Sequence, residues 1–145
     1  MELLFCAGTD LGGVANPLLA EMDFDRSHLR VLQRIGLSPN ITVSALAGQL
    51  SLTKQSLARA LDPLIRADLV QQRVGPRDRR QRLLSLTESG AALEARLSQR
   101  LMTRLAKAYR EAGSQAVEGF RRVLLGLLED ASERQRFERR TPHTR

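Results

Sequence analysis

Apolar residues recur every three or four positions along most of this chain, the spacing that places them on one face of an α-helix. In the first half, the pattern predicts three short helices in succession, at about residues 25–37, 42–50 and 53–67. Asp25 or Ser27, Thr42 or Ser44, and Thr53 are polar residues placed to cap their starts. Ser51 and Leu52 separate the second and third helices by a turn of helix-turn-helix length.

Two short strand-like runs follow the third helix, at residues 69–74 and 81–86. Gly75 and Pro76 begin a turn between them, which predicts a hairpin. Residues 73–82 hold five arginines against a single acid, Asp78. A solvated hairpin rarely concentrates charge so strongly, so its tip is a candidate contact for a polyanion.

Longer apolar stripes flank this middle segment. Thr87 can cap a long helix whose leucines recur every four residues: Leu93, Leu97, Leu101 and Leu105. Gly113 and Ser114 interrupt it, and a further leucine-rich helix is predicted over residues 116–131. These leucines could form an intramolecular core. The compact segment of helices and hairpin before them has few other surfaces to cover these leucines, so an interface between two copies of the chain is favoured.

Composition and charge narrow the class of protein. The 145 residues are 42% hydrophobic but only 3% aromatic, and abundant Leu and Ala favour helices. The net charge of +7 suits nucleic acid as a partner, although a merely soluble basic protein would share it. The single cysteine, Cys6, cannot form an intrachain disulfide, and no apolar run approaches the roughly 18 residues of a membrane span. Without a secretory signal either, a cytoplasmic protein is expected.

Several short segments form one pattern in their order and spacing: ITVSALA from Ile41, TKQS from Thr53, LV from Leu69, DRR from Asp78 and LTESG ending at Gly90. Together they resemble the MarR family of bacterial transcriptional regulators. The clear match covers about a third of the chain. It implies a mainly α fold with a small β-hairpin wing, a winged helix-turn-helix joined to a helical dimerisation region. It also implies a homodimer on a pseudo-palindromic operator, whose affinity a small molecule or oxidant lowers.

The fold implied by this resemblance divides the chain into three parts. Residues 25–86 are the winged helix-turn-helix lobe that binds duplex DNA. Residues 1–24 and 87–133 are the helical dimerisation region. The charge of residues 134–145, five arginines against one glutamate, separately indicates a basic tail, frayed or disordered, that adds nonspecific attraction to DNA.

The candidate reading residues lie at the start of the third helix: Thr53, Lys54, Gln55, Ser56 and Arg59. Lys and Arg can donate to guanine, and Gln can pair with adenine. The hydroxyls of Thr53 and Ser56 suit phosphate contacts or helix capping as well as base contacts.

The wing residues take their roles from the resemblance. It implies that Arg79, with Arg77 as the second choice, enters the minor groove. It also implies that Asp78 pairs with Arg80 and stiffens the hairpin. The enhanced negative potential of a narrow minor groove suits arginine independently of the resemblance.

Three features depart from the family pattern. Asp68 stands where a glycine usually follows the recognition helix, which predicts a different helix end. Pro63 removes one helical hydrogen bond, so the last turn is expected to bend or tighten. The first helix is short and contains several glycines, so packing against something else must hold it.

Effector chemistry is the least determined part of the sequence. Phe24, His28 and Tyr109 are candidates to line a small-molecule pocket. Cys6 invites comparison with the hydroperoxide-sensing branch of the family, but no cation lies near it in sequence to lower the thiol pKa. A packed, inert cysteine is therefore favoured.

Two alternative classes of function fit the sequence less well. A winged helix can dock protein or RNA without operator specificity. An enzyme is disfavoured because the sequence holds no Ser/His/Asp or Cys/His set, no metal-ligand spacing and no phosphate-binding glycine loop. Neither a metal nor a cofactor is expected.

Overall fold

The structure, a computed structural model, describes residues 1–76, 78–129 and 131–139. Its elements, in order, are α1 (Glu2–Gly13), α2 (Asn16–Ala20), α3 (Arg26–Leu37), β1 (Ile41–Thr42), α4 (Val43–Gln49), α5 (Lys54–Arg66), β2 (Val70–Val74), β3 (Arg82–Leu86), α6 (Glu88–Ala112), α7 (Ser114–Gly126) and α8 (Ala131–Arg139). The chain forms two compact units, Met1–Met102 and Thr103–Arg145. The mainly α fold with a β-hairpin wing is confirmed.

The three middle helices begin at the polar residues that the sequence places there. The Asp25 carboxylate accepts the backbone N–H groups of Ser27 at 2.8 Å and of His28 at 3.3 Å. The hydroxyls of Thr42 and Thr53 each accept the N–H three residues on, at 3.1 Å. Each cap satisfies donors that the first turn of a helix leaves free, which explains why the helices start at these positions.

One hydrophobic core holds the first unit together. It takes side chains from α2, α3, α4, α5 and the sheet, and from the first turns of α6. The largest fully buried side chains include Leu19, Leu32, Ile35, Leu46, Leu57, Leu64, Leu84 and Leu97. Burial of one such leucine contributes roughly 1.5–3 kcal/mol, so this cluster is the main source of stability of the unit.

The wing belongs to a three-stranded antiparallel sheet of order β1-β3-β2. Val70 pairs with Leu86, and Ile41 pairs with Leu84 on the other side of β3. The sequence predicts β2 and β3 but not β1, because two residues are too few to show an alternating pattern. The short β1 ties the start of α4 to the wing.

Asp68 does not produce the different helix end that its identity predicts. It takes φ 54°, the left-handed conformation that a glycine would adopt there. The N–H of Asp68 donates to the Ile65 carbonyl at 3.0 Å, and that of Leu69 to the Leu64 carbonyl at 2.9 Å. This is the Schellman arrangement usually built on glycine. That prediction is therefore wrong: a short aspartate tolerates this conformation.

Pro63 lies inside α5 and does not end the helix, which continues to Arg66. The Ala67 N–H closes the last turn onto the Pro63 carbonyl at 3.0 Å. Pro17 lies in the first turn of the short α2, where a missing N–H removes no helical bond.

The terminal helices differ from the prediction in their limits. α7 ends at Gly126 rather than near residue 131, and α8 occupies residues 131–139, where the sequence predicts a disordered tail from residue 134. That part of the tail prediction is wrong, and residues 140–145 lie outside the described residues. Among the helices described, none is long and apolar enough to cross a membrane.

Candidate nucleic-acid interface

The outer face of α5 carries every residue that the sequence assigns to base reading. Leu57, Ala60, Leu61 and Leu64 are buried on the inner face. Thr53, Lys54, Gln55, Ser56 and Arg59 are all exposed. Gln55 and Arg59 are four residues apart and so share a ridge of the helix, with a short Ala58 side chain beside Lys54 and Arg59. The first turns of α5 therefore present long donors without bulky neighbours.

The two hydroxyls at the start of α5 have different freedom. The Thr53 hydroxyl accepts the Ser56 N–H at 3.1 Å and donates to the Ser56 Oγ at 2.9 Å. Both functions of Thr53 are thus used in capping. The Ser56 Oγ accepts that bond and keeps its own proton, so Ser56 is the better placed of the two to donate to a phosphate or a base.

The wing tip is closed by backbone hydrogen bonds. The Gly75 N–H donates to the Gln81 carbonyl, and the Gln81 N–H to the Asp78 carbonyl, both at 3.0 Å. A Cβ on Gly75 would lie 2.9 Å from the Asp78 carbonyl oxygen, too close for an alanine without a shift of backbone. Glycine is therefore required for this tight closure.

Asp78 stiffens the wing through the main chain. Its Oδ1 accepts the backbone N–H of Arg80 at 2.9 Å. The expected contact with Arg80 is thus present, but it uses the amide and leaves the guanidinium of Arg80 out. The exposed Arg80 side chain is consequently directed by no bond to Asp78 and can serve a phosphate.

Arg82 has a role that the sequence does not assign. Its Nη1 donates to the Arg79 carbonyl at 3.3 Å and so braces the tip from the strand. Arg73 donates to the Gln71 side chain at 3.0 Å on the other strand. The sequence shows these two arginines only as members of the charge cluster. Arg77 lies outside the described residues, whereas Arg79 is exposed at the tip.

The charge of this surface is strongly positive. From Thr53 to Leu86, the exposed cations are Lys54, Arg59, Arg66, Arg73, Arg79, Arg80 and Arg82. The exposed acids in the same described segment are Asp62, Asp68 and Asp78. Asp62 lies one turn beyond Arg59 on α5 and separates the cations of the first two turns from Arg66 in the last turn. An elongated cationic surface formed by one helix and an adjacent hairpin suits a phosphate backbone.

The predicted effector residues are only partly brought together. The rings of Phe24 and His28 stack with centroids 4.9 Å apart. Phe24 lines an open cavity of about 410 Å³ beside Asn16, Ala20 and Arg26. His28 is not among its lining residues, since its Nδ1 lies 2.7 Å from the Asp25 carboxylate in the cap of α3. Tyr109 belongs to the second unit, and its part in a pocket stays a prediction.

The cap of α3 also shifts the ionisation of its aspartate. The Ser27 hydroxyl donates to Asp25, and the bonds from His28 and the backbone amides add to this effect. Together they outweigh partial burial and lower the pKa of Asp25 from 3.8 to about 2. Donors aimed at a carboxylate favour its charged form.

Cys6 is exposed on α1, so the expectation of a packed cysteine is wrong for the single chain. Its helix buries none of its residues. The state of this thiol therefore depends on what covers α1.

Comparison with known proteins agrees with this geometry. The model of the MarR family matches residues 22–81. The HTH-type transcriptional regulator PetP of Rhodobacter capsulatus is 43% identical over 134 residues, which cover 92% of this chain and 81% of PetP.

Two solved structures extend the comparison. A mutant MarR from E. coli complexed with operator DNA has a TM-score of 0.68 at 26% identity, covering 88% of this chain and 91% of that one. NadR in complex with 4-hydroxyphenylacetate has a TM-score of 0.72 at 22% identity, covering 86% of this chain and 88% of its own. At that identity, the second likeness concerns the fold alone.

Proposed function

Since this chain belongs to the MarR family, we propose that it is a transcriptional regulator that binds a pseudo-palindromic operator in duplex DNA as a homodimer. In this proposal the protein binds DNA in the cytoplasm and catalyses no reaction. The observation that carries the proposal is the exposed polar start of α5 beside an arginine-rich wing, both built on one buried core.

The first turns of α5 enter the major groove. Lys54 and Arg59 donate to guanine O6 and N7, and Gln55 pairs with adenine, because their side chains are long, exposed and on the outward face. Thr53 caps the helix, and Ser56 donates to a phosphate. The E. coli MarR complex with operator DNA is a relative of the same fold in the DNA-bound state.

The wing grips the duplex next to this contact. Arg79 at its tip enters the minor groove, with Arg77 as the second choice, and Arg80 contacts the backbone. Asp78 and Arg82 hold the tip in shape through the amide of Arg80 and the carbonyl of Arg79. A preformed tip lowers the entropy that ordering a loop would cost on binding.

The homodimer is formed by the terminal helices. α1 and α7 bury none of their residues. Leu3 and Phe5 on α1, Val123 on α7 and Leu127 directly after it are each more than half exposed. Apolar surfaces of this kind mark contacts with another chain. Two lobes related by a two-fold axis then read half-sites about one helical turn apart.

A small-molecule effector that lowers operator affinity completes the proposal. The open cavity of about 410 Å³ beside Phe24 and Arg26 is its candidate site. A relative of the same fold, NadR, has been solved with 4-hydroxyphenylacetate.

Substitutions in the two contact regions test the proposal. We expect Lys54→Ala and Arg59→Ala each to weaken binding to a cognate operator by roughly 1–3 kcal/mol, with little effect on unrelated duplex. We expect Arg79→Ala to weaken binding evenly across sequences and to reduce the salt slope by about 1. Fluorescence anisotropy at several salt concentrations measures both effects.

A matched control is Arg122→Ala, which removes an exposed arginine of α7 whose side chain is 71% accessible. It should leave operator affinity unchanged. Wild-type affinity in both the Lys54 and Arg59 variants would remove the assignment of α5. Binding to duplex without any sequence preference would support a winged helix that docks protein or RNA.

A further inference from the structure

Asp68 and Leu69 form the joint between α5 and β2, and both their N–H groups and their carbonyl groups are hydrogen-bonded. The N–H groups of Asp68 and Leu69 donate back to the last turn of α5, as described above. Their carbonyls face the other way. The Thr87 hydroxyl donates to the Asp68 carbonyl at 2.6 Å, and the Thr87 N–H donates to the Leu69 carbonyl at 3.1 Å. Thr87 is therefore joined, through two residues, to the end of the helix proposed to read bases.

Thr87 is also the first anchor of α6. Its Oγ1 accepts the Gly90 N–H at 3.0 Å, which caps this helix. Gly90 is buried against the same joint, where a Cβ would lie only 1.9 Å from the Leu69 carbonyl oxygen. One hydroxyl and one glycine thus hold the start of α6 directly against the end of α5.

This bonding exceeds what capping requires. At Thr42, the hydroxyl accepts the Ala45 N–H at 3.1 Å, a bond within three residues of sequence. At Thr87, the capping hydroxyl also donates a second hydrogen bond, to the carbonyl of Asp68, 19 residues earlier in the sequence. The additional bond joins two helices that share no turn.

We propose that Thr87 is a positioning residue for operator recognition, whose hydroxyl fixes the direction in which α6 leaves the reading helix. The inference rests on the proposed function. In the proposed homodimer the terminal helices form the interface, so the two reading helices are connected through the helices that follow Thr87 and those of the N-terminus. The direction of α6 then sets how far apart the two half-sites lie.

The length of α6 makes this direction important. A helix of 25 residues is about 37 Å long at 1.5 Å per residue. A change of about 5° at its start moves its far end by roughly 3 Å. That distance is close to the spacing of about 3.4 Å between successive base pairs. A small loss of constraint at Thr87 is therefore enough to blur the spacing of half-sites by one base pair.

Two substitutions separate the cross-joint bond from the cap. Thr87→Ser keeps both the donor and the cap. Thr87→Asp keeps a good cap acceptor for the Gly90 N–H, but an ionised carboxylate cannot donate to the Asp68 carbonyl. Thr42→Asp is the matched control, because it makes the same exchange at a cap that crosses no joint. Thermal unfolding of each variant establishes that it is folded.

The readout is the separation between paired half-sites in sequences that each variant selects from random duplex DNA. We expect a single dominant spacing for the wild type, Thr87→Ser and Thr42→Asp. For Thr87→Asp, the preference for that spacing over spacings one base pair longer or shorter should fall about fivefold. Affinity for an isolated half-site should stay as in the wild type.

The outcomes are distinguishable. Thr87→Asp that is folded and keeps the sharp spacing would overturn the inference and leave the proposed function intact. A loss of spacing in Thr42→Asp as well would assign the effect to added charge and would also overturn it. If the wild type selected no paired half-sites, the proposed function itself would be wrong. Should Thr87→Asp not fold, Thr87→Val removes the donor together with the cap, and Thr42→Val, which removes a cap alone, becomes its control: the spacing preference should fall in Thr87→Val and stay sharp in Thr42→Val.

Discussion

The lobe built from α3 to β3 and the helices at the two ends of the chain use leucine in opposite ways. In the lobe, Leu32 and Leu57 are fully buried and belong to one core. Leu3 on α1 is 81% exposed, and Leu127, directly after α7, is 62% exposed. Apolar residues at helical spacing occur in both regions. Periodicity therefore identifies the apolar face of a helix but not whether its own chain covers that face.

The boundary between these two behaviours falls inside α6. Leu93 and Leu97 are buried in the core of the first unit, whereas Leu101 and Leu105, on the same stripe, are half-buried. One regular sequence pattern thus serves two purposes along a single helix. The core of the lobe is complete in one chain, whereas the exposed apolar residues of the terminal helices suit the proposed contact with a second chain.

The largest expected loss of stability in the lobe follows substitution of Gly90. A methyl group there would meet the Leu69 carbonyl oxygen at 1.9 Å, and backbone cannot move aside cheaply. We expect Gly90→Ala to lower the free energy of unfolding by roughly 3 kcal/mol or more, in the range of severe overpacking. Urea unfolding followed by circular dichroism measures it.

The matched control is Gly119→Ala in α7, where an added Cβ meets nothing within 4 Å. Alanine is the better helix former by about 1 kcal/mol, so this variant should be as stable as the wild type or more so. Equal stability of the two alanine variants would contradict the packing at the joint.

The dimer is expected to be most sensitive at the terminal helices. Phe5 on α1 is 67% exposed in the single chain. We expect Phe5→Glu to raise the dissociation constant of the homodimer by about 30-fold, as for an interface residue worth roughly 2 kcal/mol. Sedimentation equilibrium gives this constant directly.

Leu37 is a control for the added charge, since it is 44% exposed on the lobe. Leu37→Glu should leave the dissociation constant as in the wild type. A dimer weakened by Leu37→Glu and unaffected by Phe5→Glu would place the interface on the lobe instead.

The smallest expected effect is on the helix cap at Asp25, which lies within the lobe. Ionised Asp25 accepts several donors, and the fold lowers its pKa from 3.8 to about 2. The carboxylate therefore adds stability above pH 3.8, and this contribution is lost as pH falls towards 2. Asp25→Asn keeps an acceptor without the charge. Its free energy of unfolding should therefore be lower than that of the wild type at neutral pH, and this difference should disappear as the pH falls from 3.8 towards 2.

The size of this deficit is limited because the Asp25 side chain is 70% exposed and screened by solvent. We expect at most about 1 kcal/mol at neutral pH. Unfolding titrations of both proteins at pH 7 and at pH 2.5 test this. A deficit that grew on acidification would contradict the ionised cap.

Local chemistry explains which features the sequence could predict. Asp25, Thr42 and Thr53 mark helix starts because a cap depends on neighbours within three residues. The turn at Gly75 is local in the same way. Lys54, Gln55 and Arg59 could be placed outward because the buried positions of α5 follow one period.

The features missed depend on partners distant in sequence. Strand β1 exists because Ile41 and Thr42 pair with β3, more than forty residues away. The carbonyl of Asp68, at the end of α5, is held by the hydroxyl of Thr87, a bond that spans 19 residues of sequence. Asp78 is a different case because its partner is only two residues away: the local sequence places the two together but does not show that Asp78 contacts the amide of Arg80 and not its side chain.

Selection of bound sequences from random duplex DNA, at two salt concentrations, tests the central claim most directly. The account predicts an inverted pair of half-sites with one dominant spacing, about one helical turn between centres, enriched at both salts. Overall affinity should fall steeply at the higher salt while the selected motif stays the same. Enrichment that vanished with salt and left no shared motif would show that the arginines attract DNA without α5 reading it, and would contradict the account.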